Sequence, residues 1–306
     1  MHINWLDQNS DIAPRGVKES LVQRFLNYRP QDDAAEHYIL TTNKRLAESL
    51  LGPCAKMQDA FPGMNLRFGW IRNERKDVQD WTVPLRRSLI IGQDRQISSL
   101  MKVQNVKLDQ LCISSRAADP KVAYLGYQRH FATHNLPKSI PLGEMREDNA
   151  DATTLVRSSQ DIRFRIDAVR YEDTHEELSP TAGLDIYQAC QLMRLVGLSP
   201  RAEHVSIHTE KESIGDRCAE LIATMIWYFL EGRINKEIET MKQKENDIFL
   251  VSSSHFQEPI KFVVGHKTGR WWYQHPATKE YLPCSDKDYK SISMGNLPEQ
   301  LVSLEN

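Results

Sequence analysis

A run of alternating apolar residues in "DIRFRIDAVRYED" (161–173) ends in acidic side chains. The alternation predicts a β-strand with one buried face, and Asp167, Glu172 and Asp173 follow at its end. Carboxylates in such a position suit a divalent cation or a cationic substrate. Arg165, however, stands two residues before Asp167, where a metal-binding strand would normally present a second carboxylate. The stretch therefore indicates either an active site or the remnant of one.

Strands and helices alternate along the chain around this stretch and must position it. Apolar runs predict strands in the opening stretch and at 36–42, 64–72, 86–94, 106–114, 121–128 and 203–209. Helical spacing predicts helices at 43–61, 95–104, 179–200 and 213–232. Gly197 and Gly232 are expected to cap the last two. This order is typical of an α/β fold in which a mostly parallel sheet lies between two layers of helices.

After about residue 245 the pattern changes to short β runs without helices between them. The sequence "HKTG" (266–269) predicts a hairpin loop between two of these runs. We expect an α/β domain over residues 1–245 and a small antiparallel β appendage over 246–306, packed on the core. Trp271 and Trp272 are expected to pack within that contact, with a partner-binding surface as the alternative.

Composition excludes several classes of function. The net charge of −2 on 306 residues gives no basic field for nucleic acid. No apolar stretch is long enough to cross a bilayer, so no membrane insertion is expected. The amino terminus has no signal-peptide pattern, and the cysteines are widely spaced without a CxxC pair. Reduced, buried thiols in a cytoplasmic protein are the expected outcome.

Five strings between residues 86 and 290 occur together in one order. They are "SLIIGQD", "RFRIDAVRYED", "SPTAGLDIYQACQLMRLVGLSP", "ELIATMIWYFLEG" and "RWWYQHP" with "YLPCSDKDY". Together they resemble the arginase, agmatinase and formimidoylglutamase family of ureohydrolases, and more closely a divergent arginase-like branch common in Bacteroidetes. "SLIIGQD" resembles the strand and loop of the family's GGDH motif, and "RFRIDAVRYED" resembles its SFDxD strand. The part before residue 86 is shortened or divergent.

The resemblance implies a three-layer α/β/α fold with two manganese ions at the carboxyl ends of the strands. In the family, a bridging hydroxide attacks a guanidinium-type carbon and releases urea or formamide. Two hard divalent cations require several carboxylates and a few imidazoles as ligands. The ions lower the pKa of bound water so that hydroxide forms at neutral pH.

The first two ligand motifs of the family are poorly matched. The GGDH histidine corresponds to Gln93 or its neighbour, and no histidine lies nearby. The next strand of the family ends in DAHxD, which supplies three ligands. A gapless placement puts Cys112, Ser114 and Arg116 at those three positions, and a shifted one recovers Asp119 at best.

The last ligand positions are also altered. Arg165 replaces the first aspartate of the DxD pair, and Asp167 retains the second. The later acidic position corresponds to Thr209, with Glu210 one step away and so on the other face of a strand. A guanidinium keeps its charge in a protein and would repel a divalent ion. Arg165 is instead expected to occupy the place of the cation and pair with Asp167 or Asp173.

The resemblance with altered ligands predicts a protein that has lost the dimanganese centre and acts without catalysis, as a binding or scaffold protein. We call Gln93, Arg165, Asp167 and Thr209 the relic metal-site positions, and the space between them the relic cleft. No cofactor is expected. An unknown protein partner or a small ligand would bind in the relic cleft, and a homo-oligomer is possible.

Two alternatives stay open. A live amidinohydrolase would act on a guanidino or formimino compound, with manganese in a rearranged site. Asp119, Asp167, Asp173 and His175 would build that site, and Glu210 is a further residual acid. A metal-free hydrolase would instead need Cys112 as a thiolate nucleophile.

Overall fold

The computed structural model describes residues 2–5, 36–61, 64–72, 88–97, 110–119, 121–129, 136, 139–235, 246–254, 256, 258–266 and 268–298. The predicted helix at 95–104 is described only at its start, where residues 94–97 are helical. The predicted strand at 106–114 is described from Gln110 onward.

Most strands of the larger sheet lie where strands were predicted, and the short β7 was not predicted. Its strands are β1 His2–Trp5, β2 Glu36–Thr41, β3 Asn65–Arg72, β4 Ser88–Gln93, β5 Gln110–Ile113, β6 Ala123–Tyr127, β7 Ile140–Pro141, β8 Asp161–Arg165 and β9 His204–Thr209. In the described residues they lie in the order β1-β3-β2-β4-β9-β8-β5-β6-β7. β1 runs antiparallel to β3, and every other neighbouring pair is parallel. The prediction of a mostly parallel sheet is confirmed.

The described helices connect or follow these strands. They are α1 Lys44–Cys54, α2 Met57–Ala60, α3 Leu142–Glu147, α4 Asn149–Ser158, α5 Tyr171–Thr174, α6 Ile186–Leu198, α7 Asp216–Ile234 and α8 Asp286–Ser293. α6 begins at a capping box, in which Asp185 and Gln188 bond each other's backbone. No helix in the described ranges is long and apolar enough to cross a membrane.

One face of the larger sheet carries the main hydrophobic core. Ile91, Ile113, Phe164 and Ile207 are fully buried there and share one cluster with apolar residues of α1, α4, α6 and α7. Successive residues of a strand point to opposite faces. The residues between them, including Arg165 at the end of β8, therefore point to the other face of the sheet.

Gly197 and Gly232 are not helix caps, so that expectation was wrong. Both lie inside their helices, at the contact between α6 and α7. A Cβ on Gly197 would stand 2.2 Å from the carbonyl oxygen of Phe229, and one on Gly232 would stand 2.2 Å from that of Arg194. Glycine is required here because the two helix backbones touch, not because either helix ends.

The carboxyl-terminal residues form a separate antiparallel sheet, as predicted. Its strands are β10 Asn246–Val251, β11 Ile260–Gly265, β12 Trp271–Gln274 and β13 Tyr281–Cys284, paired in that order. The predicted hairpin loop connects β11 to β12, and Gly269 adopts a positive φ of 64° in it. Helix α8 was not predicted, although Ser285 and Asp288 form a capping box at its start.

The appendage packs on α4 through one buried side chain. Arg157 of α4 is 1% exposed, and its guanidinium lies 4.4 Å from the ring centre of Trp272. Its Nη1 also donates a hydrogen bond to the carbonyl oxygen of Trp271, at 3.3 Å. Trp271 itself stacks on Phe249 and Tyr289 inside the appendage. Both tryptophans thus have packing roles.

Candidate functional site

The carboxyl ends of β4, β9, β8 and β5 lie side by side in the sheet. Gln93 is directly opposite Thr209, and Arg165 is directly opposite His208. A short 3-10 turn, Ile166–Ala168, follows β8 and turns Asp167 back toward these ends. The sheet therefore brings the relic metal-site positions together at the carboxyl ends of its strands.

Arg165 is held between two carboxylates at these strand ends. Its Nε donates to Asp167 Oδ2 at 3.1 Å, and its Nη1 lies 3.8 Å from Asp94 Oδ1. Asp167 is only 2% exposed and accepts a second hydrogen bond from Ser114 Oγ, at 3.0 Å. Although burial alone would lower the pKa of Arg165, the carboxylate of Asp167 raises it above its usual value. The guanidinium is therefore a fixed positive charge in the relic cleft.

Asp94 belongs to a hydrogen-bonded chain that the sequence reasoning missed. Its Oδ1 lies 2.8 Å from His208 Nδ1, and His208 Nε2 lies 2.8 Å from Ser206 Oγ. The bond with His208 lowers the pKa of Asp94 to about 2, so this carboxylate is ionised and can only accept. His208 Nδ1 must then carry the proton, and Nε2 accepts the hydrogen bond from Ser206.

The hydrogen bonds link Ser206, His208 and Asp94 in the order found in a Ser-His-Asp catalytic triad. Here, however, the serine is the buried end and the aspartate is the exposed end. Ser206 is 4% exposed, while the carboxylate of Asp94 is 55% exposed. A nucleophilic serine must reach its substrate, and its carboxylate is normally the buried end. The bond from His208 therefore holds Asp94 beside Arg165, and Ser206 is too buried to act as a nucleophile. Ser206 and His208 share one strand face, but Asp94 is 114 residues away from His208 in the sequence.

Gln93, Thr209 and Glu210 secure the ends of their strands. Gln93 Nε2 donates to the carbonyl oxygen of Glu210 at 2.9 Å, and Thr209 Oγ1 donates to that of Lys211 at 3.0 Å. Burial raises the pKa of Glu210, and the nearby carboxylates of Asp167 and Glu176 raise it further. Glu210 Oε1 is buried and has no hydrogen-bond partner among the described residues. These contacts fix the ends of β4 and β9 next to Arg165.

The residues of the suggested rearranged site have separate partners. Asp119 accepts from the backbone N–H of Lys121 at 2.9 Å, as a turn cap. Asp173 accepts from Arg170 Nε at 2.7 Å and from the N–H of Ile186 at 3.1 Å. His175 ends α5 with a φ of 58°. Within the described ranges, no three His, Cys, Asp or Glu side chains are arranged to hold a metal ion.

Cys112 is a poor nucleophile. It is 8% exposed, and burial raises its pKa to about 12, although Arg165 acts in the opposite direction. A thiol with this pKa is protonated at neutral pH, whereas a catalytic cysteine needs thiolate. Burial and the raised pKa both disfavour the alternative of a hydrolase that uses Cys112.

Comparisons with known proteins identify the fold. No protein-family model and no curated protein matches this sequence. The crystal structure of formimidoylglutamase from Bacillus subtilis matches with a TM-score of 0.50 and 14% identity, over 74% of this chain and 95% of that chain. The chain has an arginase-like fold. At 14% identity the match carries the fold alone.

Two further solved structures are similar to this chain at lower TM-scores. Formiminoglutamase from Trypanosoma cruzi, solved with manganese, gives a TM-score of 0.47 and 13% identity, over 70% of this chain and 97% of that chain. Arginase from Bacillus subtilis gives a TM-score of 0.43 and 8% identity, over 64% of this chain and 98% of that chain.

Two manganese ions do not fit the described side chains at the carboxyl ends of these strands. Hard divalent cations need several oxygen or imidazole ligands around them. Here Asp167 and Asp94 both contact Arg165, and His208 is committed to Asp94 and Ser206. A divalent ion between these carboxylates would meet the guanidinium charge directly.

Proposed function

We propose that this protein uses the arginase-like fold as a non-catalytic binding or scaffold protein, in which Arg165 takes the place of the metal charge. The contact that carries the proposal is the 3.1 Å hydrogen bond from Arg165 Nε to the buried Asp167. It supplies Asp167 with a cation from the chain itself. The relic cleft is then available to bind a protein partner or a small ligand.

The electrostatics support this proposal. A buried carboxylate is costly unless it is paired and hydrogen-bonded. Arg165 and Ser114 together satisfy both oxygens of Asp167. A manganese ion would have to displace the guanidinium from the carboxylate and still find further ligands. The same ion would lie near a charge that no accessible pH removes.

Metal analysis tests the proposal. The purified protein, dialysed against manganese chloride and then against buffer, is expected to hold far less than one manganese ion per chain. Added manganese should also leave the melting temperature unchanged, because a ligand that binds only the folded state raises it. Near-stoichiometric manganese in the wild-type protein would overturn the proposal.

An activity assay tests the alternative of a live amidinohydrolase. We expect no urea, formamide or ammonia release from guanidino and formimino compounds above the level of an Asp167→Ala variant. Release that requires manganese and is lost in Asp167→Ala would support the enzyme instead. Release that survives Asp167→Ala would exclude Asp167 from that chemistry.

A further inference from the structure

In the described residues, β10 is an edge strand of the appendage sheet and pairs with β11. Within the described ranges, no strand lies on its outer side. Ile248 and Leu250 alternate along this strand and therefore project from the same face. They are 57% and 69% exposed. The edge thus offers backbone hydrogen-bonding groups together with two large apolar side chains.

Within the described residues, this edge lacks several of the features that keep strand edges apart. Natural sheets protect free edges with lysine, proline, bulges or very short strands. β10 has neither lysine nor proline, and it pairs with β11 continuously over six residues, from Asn246–Gly265 to Val251–Ile260. Its one charged residue, Asp247, is engaged by His266 at 2.9 Å.

We propose that β10 pairs antiparallel with β10 of a second copy of this chain, so that the two four-stranded sheets become one. Antiparallel pairing of two identical strands satisfies a twofold axis, and each copy offers the same groups to the other. A register centred on Phe249 keeps the apolar residues on one face. In this register Ile248 of each copy lies opposite Leu250 of the other, which gives two such pairs.

The charges of β10 favour this register, and the small buried area limits the strength of the contact. The register sets Asp247 opposite Val251 of the other copy, so the two aspartates do not face each other. Apolar side chains that lie directly opposite each other stabilise a pair of strands. A single strand pair buries less than the ~1,200 Å² of a standard stable interface. The dimer should therefore be weak and depend on concentration.

Sedimentation equilibrium tests the proposal on the full chain. Between ~10 and ~300 μM, the average mass should rise from the monomer value of 35.3 kDa toward twice that value. The variant Ile248→Lys/Leu250→Lys should remain at the monomer mass, since charged edges repel each other. The control Ile234→Lys/Met294→Lys adds the same charge at two other exposed apolar residues and should dimerise like wild type.

Cross-linking tests the register. In Ile248→Cys/Leu250→Cys the new thiols would face each other across the twofold axis. The native cysteines of the chain are all buried. Mild oxidation should give a disulfide between residue 248 of one copy and residue 250 of the other, identified by mass spectrometry. A wild-type protein that stays monomeric throughout, or a dimer that survives the lysine pair, would overturn the proposal. This test is independent of the proposed function.

Discussion

At the scale of single residues, the buried carboxylate of Asp167 takes its counter-charge from Arg165, two residues earlier in the chain. That pairing was within reach of the sequence, because residues two apart at a strand end can meet through a turn. The contact of Asp94 with His208 was not. It depends on β4 lying next to β9, and the strand order of a sheet is not encoded in the local pattern of either strand. The sequence also left the choice between Asp167 and Asp173 open, and Arg170 takes Asp173.

The pair Arg165–Asp167 should contribute to stability through the buried carboxylate. Arg165→Ala should lower the free energy of unfolding by about 1–3 kcal/mol, because Asp167 then loses its cation. The double variant with Asp167→Ala should cost less than the sum of the two single changes. Urea unfolding measures all three. Arg129→Ala, at an exposed ion pair with Glu144, should cost less than about 1 kcal/mol. Strict additivity would contradict the pairing.

His208 should make stability depend on pH. Its side chain faces Asp94 and Ser206, with Arg163 and Arg165 nearby, and burial lowers its pKa from 6.5. The unfolded chain then binds more protons, so the free energy of unfolding falls as pH drops below about 6.5. His208→Gln should flatten this dependence between pH 7 and 5. The exposed His266→Gln serves as the control, and an unchanged slope in His208→Gln would refute the prediction.

At the scale of elements, apolar periodicity located most strands and the long helices, because it reflects which face is buried. Glycine misled the reasoning at Gly197 and Gly232, since a helix end and a close helix contact both select it. α3 and α4 were not assigned. Their apolar residues are few, and their burial depends on the neighbouring α6 and sheet.

The α6–α7 contact leads to a prediction about glycine. Gly232→Ala should destabilise the protein by about 1–3 kcal/mol, because the new methyl would overlap the backbone of α6. The overlap should exceed the roughly 1 kcal/mol that alanine gains in helix propensity. Gly143→Ala lies in α3 with open space around it and should be neutral or stabilising. Thermal unfolding compares the two, and equal effects would rule out the close contact.

At the scale of the whole molecule, two sheets with separate cores are held together through α4. Charge alone does not explain the connection. Lys287 bridges Asp148 and Asp151 at 2.8 Å across the same contact, but its side chain is 47% exposed. Such pairs contribute little in water. Arg157 of α4 is buried against Trp271 and Trp272, and we expect this contact to fix the appendage more firmly than Lys287 does.

Replacing Arg157 should therefore loosen the appendage more than replacing Lys287. Arg157→Ala removes the stacking on Trp272 and leaves a cavity, with an expected loss of about 2–4 kcal/mol. Arg157→Met refills part of that volume and should lose less. Limited proteolysis should cut Arg157→Ala between the two sheets faster than wild type, while Lys287→Ala should match wild type. Equal cleavage of all the variants would mean that the two sheets are held by other contacts.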